Sequence, residues 1–169
     1  LDLAGYKLPV NHLNIEADGN LTLEDSEEDG TLTSKASYTA EVMQGGSLTI
    51  NGGICTNEYD KEGSQPKAIF NGGDLEINGG TVSASTAGTY GTAICNRFTE
   101  ESKEDDDSKI TCTITDGKIE SSCWGVTLFG KGLDDEGSYD NDALVLTMSG
   151  GTINIVDNNE GQGIATNAS

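Results

Sequence analysis

Carboxylates are the most abundant reactive groups of this chain, and two segments gather them densely. Residues 97–109 (RFTEESKEDDDSK) hold Glu104, Asp105, Asp106 and Asp107; residues 130–142 (GKGLDDEGSYDND) hold Asp134, Asp135, Glu136, Asp140 and Asp142. Ca2+ takes about six to eight oxygen ligands, so two such segments could complete one shell between them. Asp105, Asp107, Asp140 and Asp142 are the candidate calcium ligands, and the plain alternative is two solvated, self-repelling loops. Aromatic residues are scarce: one Trp, five Tyr and three Phe. Tyr90 and Trp124 stand in similar approach segments of successive repeats, and Tyr38 is a candidate for the Tyr90 column. Such rings can stack on the apolar C–H face of a sugar, with Asp134, Asp135 and Asp140 as polar partners. They can equally cover a seam between strand and loop.

Catalysis is harder to assemble. Glycoside hydrolysis needs two carboxylates about 5–9.5 Å apart, and in so acidic a chain proximity alone says little. Asp134-Asp135 resembles the paired Asp of polygalacturonase-type enzymes, but their Gly-His-Gly and Arg-x-Lys elements are absent. His12 is the only histidine, and Arg97, the only arginine, has no Lys two positions on. A lyase would need a base near calcium and cationic groups for an anionic polymer, which a formal charge of -20 opposes. Any Ser or Cys nucleophile would have to draw on His12. Residues 25–30 (DSEEDG) superficially open like an EF-hand loop, yet the twelfth position is Ala36 and no helices flank it. The residues point away from an enzyme.

Charge narrows the partners as well. Nine basic residues against 29 acidic ones leave no clustered Lys and Arg for phosphates, which excludes a nucleic-acid binder. No apolar run approaches the roughly 18 residues of a membrane span. Cys55, Cys95, Cys112 and Cys123 lack CxxC spacing, and His12 lies far from them, so zinc is not indicated. Buried free thiols are the expected state, with disulfides left open.

What must position these groups is a repeat. Leu48-Thr49-Ile50-Asn51-Gly52-Gly53 returns 27 residues later as Leu75-Glu76-Ile77-Asn78-Gly79-Gly80. Cys112-Thr113-Ile114-Thr115-Asp116-Gly117 and Leu146-Thr147-Met148-Ser149-Gly150-Gly151 are further copies, and Leu21-Thr22-Leu23 precedes them. Each copy reads as a short strand, a Gly-rich corner, a second strand, a variable polar stretch and a third strand. No single copy can bury its apolar side chains, whereas stacked copies line a lumen with them. The spacing therefore predicts an all-β, right-handed, single-stranded parallel β-helix, with three short strands per rung and five to six rungs in one domain over residues 1–169. Four inward columns are expected: Leu21, Leu48, Leu75, Cys112, Leu146; Leu23, Ile50, Ile77, Ile114, Met148; Leu32, Cys55, Val82, Ile119, Ile153; and Val42, Ile69, Ile94, Val126, Ile164. Asn51, Asn78 and Asp116 are expected to share a corner column. The intervals of 37 and 34 residues after Ile77 and Ile114 place the insertions 97–109 and 130–142 after the third strand. Residues 59–66 vary at the preceding corner. No regular outward Thr-x-Thr column of the kind that would suit ice is visible. Both ends read as uncapped, as expected of a module excised from a longer protein.

The stretches LDLAGYKL, LTLEDSEEDGTLTS, SLTINGG and LEINGGTVSAST…YGTAIC resemble the Gly-rich right-handed β-helix repeats of large surface or secreted proteins of anaerobic Firmicutes, some described as carbohydrate-binding-domain-containing proteins. The resemblance spans essentially the whole chain and concerns rung construction. It implies display outside the cell, secreted or at the cell surface, and contact with a glycan or a host surface. The expected function is thus a non-catalytic solenoid module or adhesin stalk binding a glycan or surface protein. Calcium is the one cofactor to consider. The alternatives are a structural spacer or protein-interaction segment, and a polysaccharide-active enzyme of β-helix type. A neutral or amino-bearing glycan fits the charge best.

Overall fold

A computed structural model describes residues 1–98, 108–130, 143–156 and 161–166. Seventeen strands and no helix occupy them. In chain order they are β1 (Lys7–Val10), β2 (Leu13–Ile15), β3 (Asn20–Leu23), β4 (Thr31–Ser34), β5 (Tyr38–Val42), β6 (Ser47–Ile50), β7 (Ile54–Asn57), β8 (Lys67–Asn71) and β9 (Asp74–Ile77). There follow β10 (Thr81–Ala84), β11 (Thr92–Arg97), β12 (Ile110–Ile114), β13 (Lys118–Ser121), β14 (Trp124–Phe129), β15 (Leu144–Met148), β16 (Thr152–Ile155) and β17 (Gln162–Thr166).

Every third strand pairs in parallel with the one before it. The first sheet runs β3-β6-β9-β12-β15, the second β1-β4-β7-β10-β13-β16, and the third β2-β5-β8-β11-β14-β17. This is the right-handed parallel β-helix that the repeat spacing predicts. Six rungs at about 4.8 Å give a rod roughly 24 Å long. Among the described residues no helix is long and apolar enough to cross a membrane.

The core follows from the register. Leu23, Ile50, Ile77, Ile114 and Met148 are consecutive partners, as are Leu21, Leu48, Leu75, Cys112 and Leu146. Leu32, Cys55, Val82, Ile119 and Ile153 form the column of the second sheet. Ile50, Ile77 and Ile114 are fully buried, each contributing about 1.5–3 kcal/mol by leaving water, whereas Met148 on the last rung is 39% exposed. The third sheet departs by two residues at its start. Ala40, not Val42, stands over Ile69, Ile94, Val126 and Ile164, and Val42 pairs with Asn71. Asn71 and Asn96 lie buried beside it: Asn71 Nδ2 donates to Asn96 Oδ1 at 2.8 Å, and Asn96 Nδ2 to Thr127 O at 3.1 Å. Stacked amides satisfy each other there, as buried polar groups must. The short β2, which the repeat did not announce, completes the first turn of this sheet.

The corner between the first and second sheets is built for close stacking. Gly80 has φ +74°, and a Cβ there would stand 2.4 Å from Gly53 O on the rung below. Asn78 Nδ2 donates to Asn51 Oδ1 at 3.2 Å, and Thr115 Oγ1 donates to Asn78 Oδ1 at 2.7 Å. Thr115 thus occupies the column expected for Asp116, because Asn78 follows Ile77 as Thr115 follows Ile114. The Asp116 carboxylate instead accepts from Gly117 N at 2.7 Å.

Candidate functional site

The second-to-third corner is where chain length varies and side chains open to solvent. Between β7 and β8 the chain takes nine residues, between β10 and β11 seven, and between β13 and β14 two. Backbone bonds nevertheless lock these loops together. Gly63 N donates to Gly88 O at 3.0 Å, Tyr90 N to Ser64 O at 2.7 Å, and Trp124 N to Gly91 O at 2.9 Å. Side chains complete the frame. Thr89 Oγ1 donates to Thr86 O at 2.6 Å, Ser122 Oγ lies 3.0 Å from Thr89 Oγ1, and Gly91 N donates to Ser122 Oγ at 2.8 Å.

The result is a cleft of about 250 Å³ lined by Glu62, Thr89, Tyr90, Ser122 and Cys123, with Gly63 and Gly88 at its rim. Tyr90 is 47% exposed, so the cleft carries an available ring beside hydroxyls and a carboxylate. Trp124 is half-buried and belongs to the neighbouring column of the third sheet, between Thr92 and Gln162, rather than to the cleft lining. Tyr38 does not share the Tyr90 column: it pairs with Lys67, which pairs with Thr92 two residues beyond Tyr90. Its ring lies 4.2 Å from that of His12 and 6.3 Å from that of Phe70. A hydrogen bond from its hydroxyl to Glu41, followed by burial and the Glu41 charge, pushes the Tyr38 hydroxyl up to about 12. This partly covered aromatic row was not evident from spacing, because its three members come from unequal loop and strand positions.

The remaining candidates lie elsewhere. Asp105 and Asp107, and Asp134, Asp135, Asp140 and Asp142, lie outside the described residues. The chain enters the 130–142 insertion just after Phe129, at the end of β14 opposite Trp124, about 17 Å away at strand rise. Among the described residues, no three His, Cys, Asp or Glu side chains come together to hold a metal. All four cysteines are buried, and Cys55, Cys95 and Cys112 are free thiols. Burial pushes the Cys55 and Cys112 thiols up to about 12 and raises Cys95.

Two surfaces were missed in the one-dimensional pattern. On the first sheet the outer positions Thr22, Thr49, Glu76, Thr113 and Thr147 are consecutive partners. This threonine column is broken at Glu76, and the column beside it reads Asn20, Ser47, Asp74, Thr111, Val145, so only one rung carries Thr-x-Thr. The second surface is a cleft of about 420 Å³ over the first three rungs, on the same edge as Tyr90. There Lys7 Nζ and Glu58 Oε1 stand 2.7 Å apart, from residues 51 positions distant in sequence.

Compared with known proteins, the chain matches no protein-family model, no curated protein and no solved structure. What the coordinates define is a class: an all-β parallel solenoid module.

Proposed function

We propose that this chain is a non-catalytic, extracellular β-solenoid module that holds a glycan of a cell or host surface at its second-to-third corner. The observation that carries the reading is the half-exposed Tyr90 ring beside the Thr89 and Ser122 hydroxyls and Glu62 in one cleft. A sugar has an apolar C–H face and polar edges, and such a cleft offers one partner for each. The cleft is also preorganised, since Ser122 and Thr89 are fixed by hydrogen bonds before any ligand arrives, which lowers the ordering cost of binding. Glu62 and the overall charge of -20 favour a neutral or amino-bearing sugar. The resemblance to Gly-rich repeats of surface proteins supports the secreted or cell-surface setting and an adhesin role.

A glycan array followed by calorimetry, with and without Ca2+, tests this. A neutral or amino-bearing glycan should bind, and Tyr90→Ala should weaken it about tenfold or more while leaving the melting temperature nearly unchanged. Trp124→Ala reports whether the platform extends to the neighbouring column. Dependence on Ca2+ would bring Asp105, Asp107, Asp140 and Asp142 into the site. Binding indifferent to Tyr90→Ala would favour a spacer or protein-interaction segment, and release of shortened glycan products would favour the enzyme.

A further inference from the structure

The cleft over the first three rungs reverses the charge character of the molecule. Only nine basic residues exist in the chain, and two of them, Lys7 and Lys35, line this one cleft with a single carboxylate, Glu58. Register explains the convergence. Lys7 opens β1 and Lys35 follows β4. Glu58, just past β7, is tied to the second rung by its N–H donating to Ser34 O at 2.7 Å. Lys7 therefore reaches across one whole rung to meet Glu58. The Glu58 carboxyl is held below the usual carboxylate range, first by the hydrogen bond from Lys7, then by the charges of Lys7 and Lys35, against a burial effect. Thr33, only 3% exposed, lines the cleft, and its Oγ1 has no hydrogen-bond partner among the described residues. One lysine is thus spent on Glu58. Lys35 is exposed and forms no ion pair among the described residues.

The remaining wall is apolar and polar by turns. Pro9 is exposed on one side, with Val10 partly buried against the core beside it, while Ser34 Oγ donates to Asn11 O at 2.6 Å and accepts from Ala36 N at 3.0 Å, holding the rim. A volume of about 420 Å³ falls within the common range for small-ligand pockets, about 300–1,000 Å³. We propose that this cleft is a binding site for a saccharide that bears a carboxylate. The carboxylate meets the Lys35 ammonium, sugar hydroxyls donate to Glu58, and the ring C–H face lies on Pro9. A fully neutral sugar leaves Lys35 unused, and a cationic one places a third positive charge beside the two lysines.

The field of the whole molecule makes this separable from general attraction. A protein of charge -20 repels an anion at long range, and salt screens that repulsion more than it screens a contact pair. Affinity for the acidic sugar should therefore rise as the Debye length shrinks from about 30 Å at 0.01 M to about 8 Å at 0.15 M. A general electrostatic attraction would fall instead.

The site does not depend on the Tyr90 reading, and the experiment keeps the two apart. Calorimetry or ligand-observed NMR is run with sialyllactose, its carboxyl methyl ester and lactose, on the wild type, Lys35→Gln and Tyr90→Ala. The expected result is a preference of about tenfold or more for the free acid over the ester, the scale of one charge-assisted hydrogen bond. Lys35→Gln should erase that preference without moving the melting temperature, and Tyr90→Ala should leave the acid-to-ester ratio intact. Equal binding of acid and ester, an acid preference that survives Lys35→Gln, affinity that falls with added salt, or no binding of any of the three at millimolar concentration overturns the proposal.

Discussion

The two sides of each second-sheet strand lead to corners of opposite character. At the first-to-second corner the rungs repeat almost without variation: Gly53, Gly80, Gly117 and Gly151 all have positive φ, and Asn51, Asn78 and Thr115 are linked along one column. At the second-to-third corner the loops differ in length from rung to rung, and both clefts lie along that edge. The lesson is geometric. A corner where backbone of one rung touches backbone of the next at van der Waals distance has no room for a ligand or for sequence drift. A corner where the chain bulges outward keeps its backbone satisfied through neighbouring loops and frees side chains for recognition.

The sharpest way to break this contrast is a pair of alanines at glycines with nearly the same φ. Gly80 at +74° has Gly53 O 2.4 Å from the position of a Cβ, whereas Gly88 at +77° has nothing within 4 Å. Gly88→Ala should cost about 1–2 kcal/mol, the left-handed conformational penalty alone. Gly80→Ala should cost about 3 kcal/mol or more, because the clash adds to the same penalty. Equal shifts in denaturation midpoint would mean that the two corners are equally permissive.

A second measurement concerns the lumen that both corners enclose. Cys55 and Cys112 stay neutral in the fold to about pH 12, while the unfolded chain ionises such thiols near 9. The unfolded state thus loses protons first, so stability is whole below about pH 9 and declines as pH rises toward 12. The slope is at most about 1.4 kcal/mol per thiol per pH unit. Thermal melts across that window should show the decline, and Cys55→Val should lessen it while Cys112 keeps its share; an unchanged slope in the variant would place the alkaline sensitivity elsewhere.

Hydrogen bonds give a smaller contrast. Ser122→Ala removes the acceptor of the Gly91 N–H at a buried position, which should cost about 1–3 kcal/mol. Asn78→Ala, on a partly solvated corner where water can replace the amide, should cost less than about 1 kcal/mol. Urea titrations of both variants would reveal a reversed order, and with it a misjudged edge. The least effect is expected at the Lys7–Glu58 pair, whose side chains are 56% and 37% exposed. Glu58→Gln should change stability by no more than about 1 kcal/mol, since solvent screens such pairs. A larger loss would make the ion pair a structural clasp rather than part of a recognition surface.

Much of the scaffold could be read in one dimension because each rung repeats the same strand and the same corner. Leu23, Ile50, Ile77, Ile114 and Met148 keep phase across intervals of 27, 37 and 34 residues, since insertions leave at corners and do not disturb the strands. The third sheet was legible only to within two residues. No fixed Gly-Gly corner precedes it, so nothing in the string anchored Ala40 over Ile69, and Leu13-Asn14-Ile15 was too short to stand out as β2. Of the candidate site, Tyr90 could be picked as an aromatic in a variable segment, but its alliance with Glu62 and Ser122 could not. Those residues belong to three loops of different lengths, brought level only by rung stacking.

The amino-acid sequence alone thus determined the parallel β-helix and most of its lumen, because hydrophobic burial repeats wherever the strand repeats. Only the tertiary structure decided which side chains come together, Tyr90 and Glu62 in one cleft and Lys7 with Glu58 in an ion pair, because those groupings run along the solenoid axis between loops whose spacing along the chain carries no period.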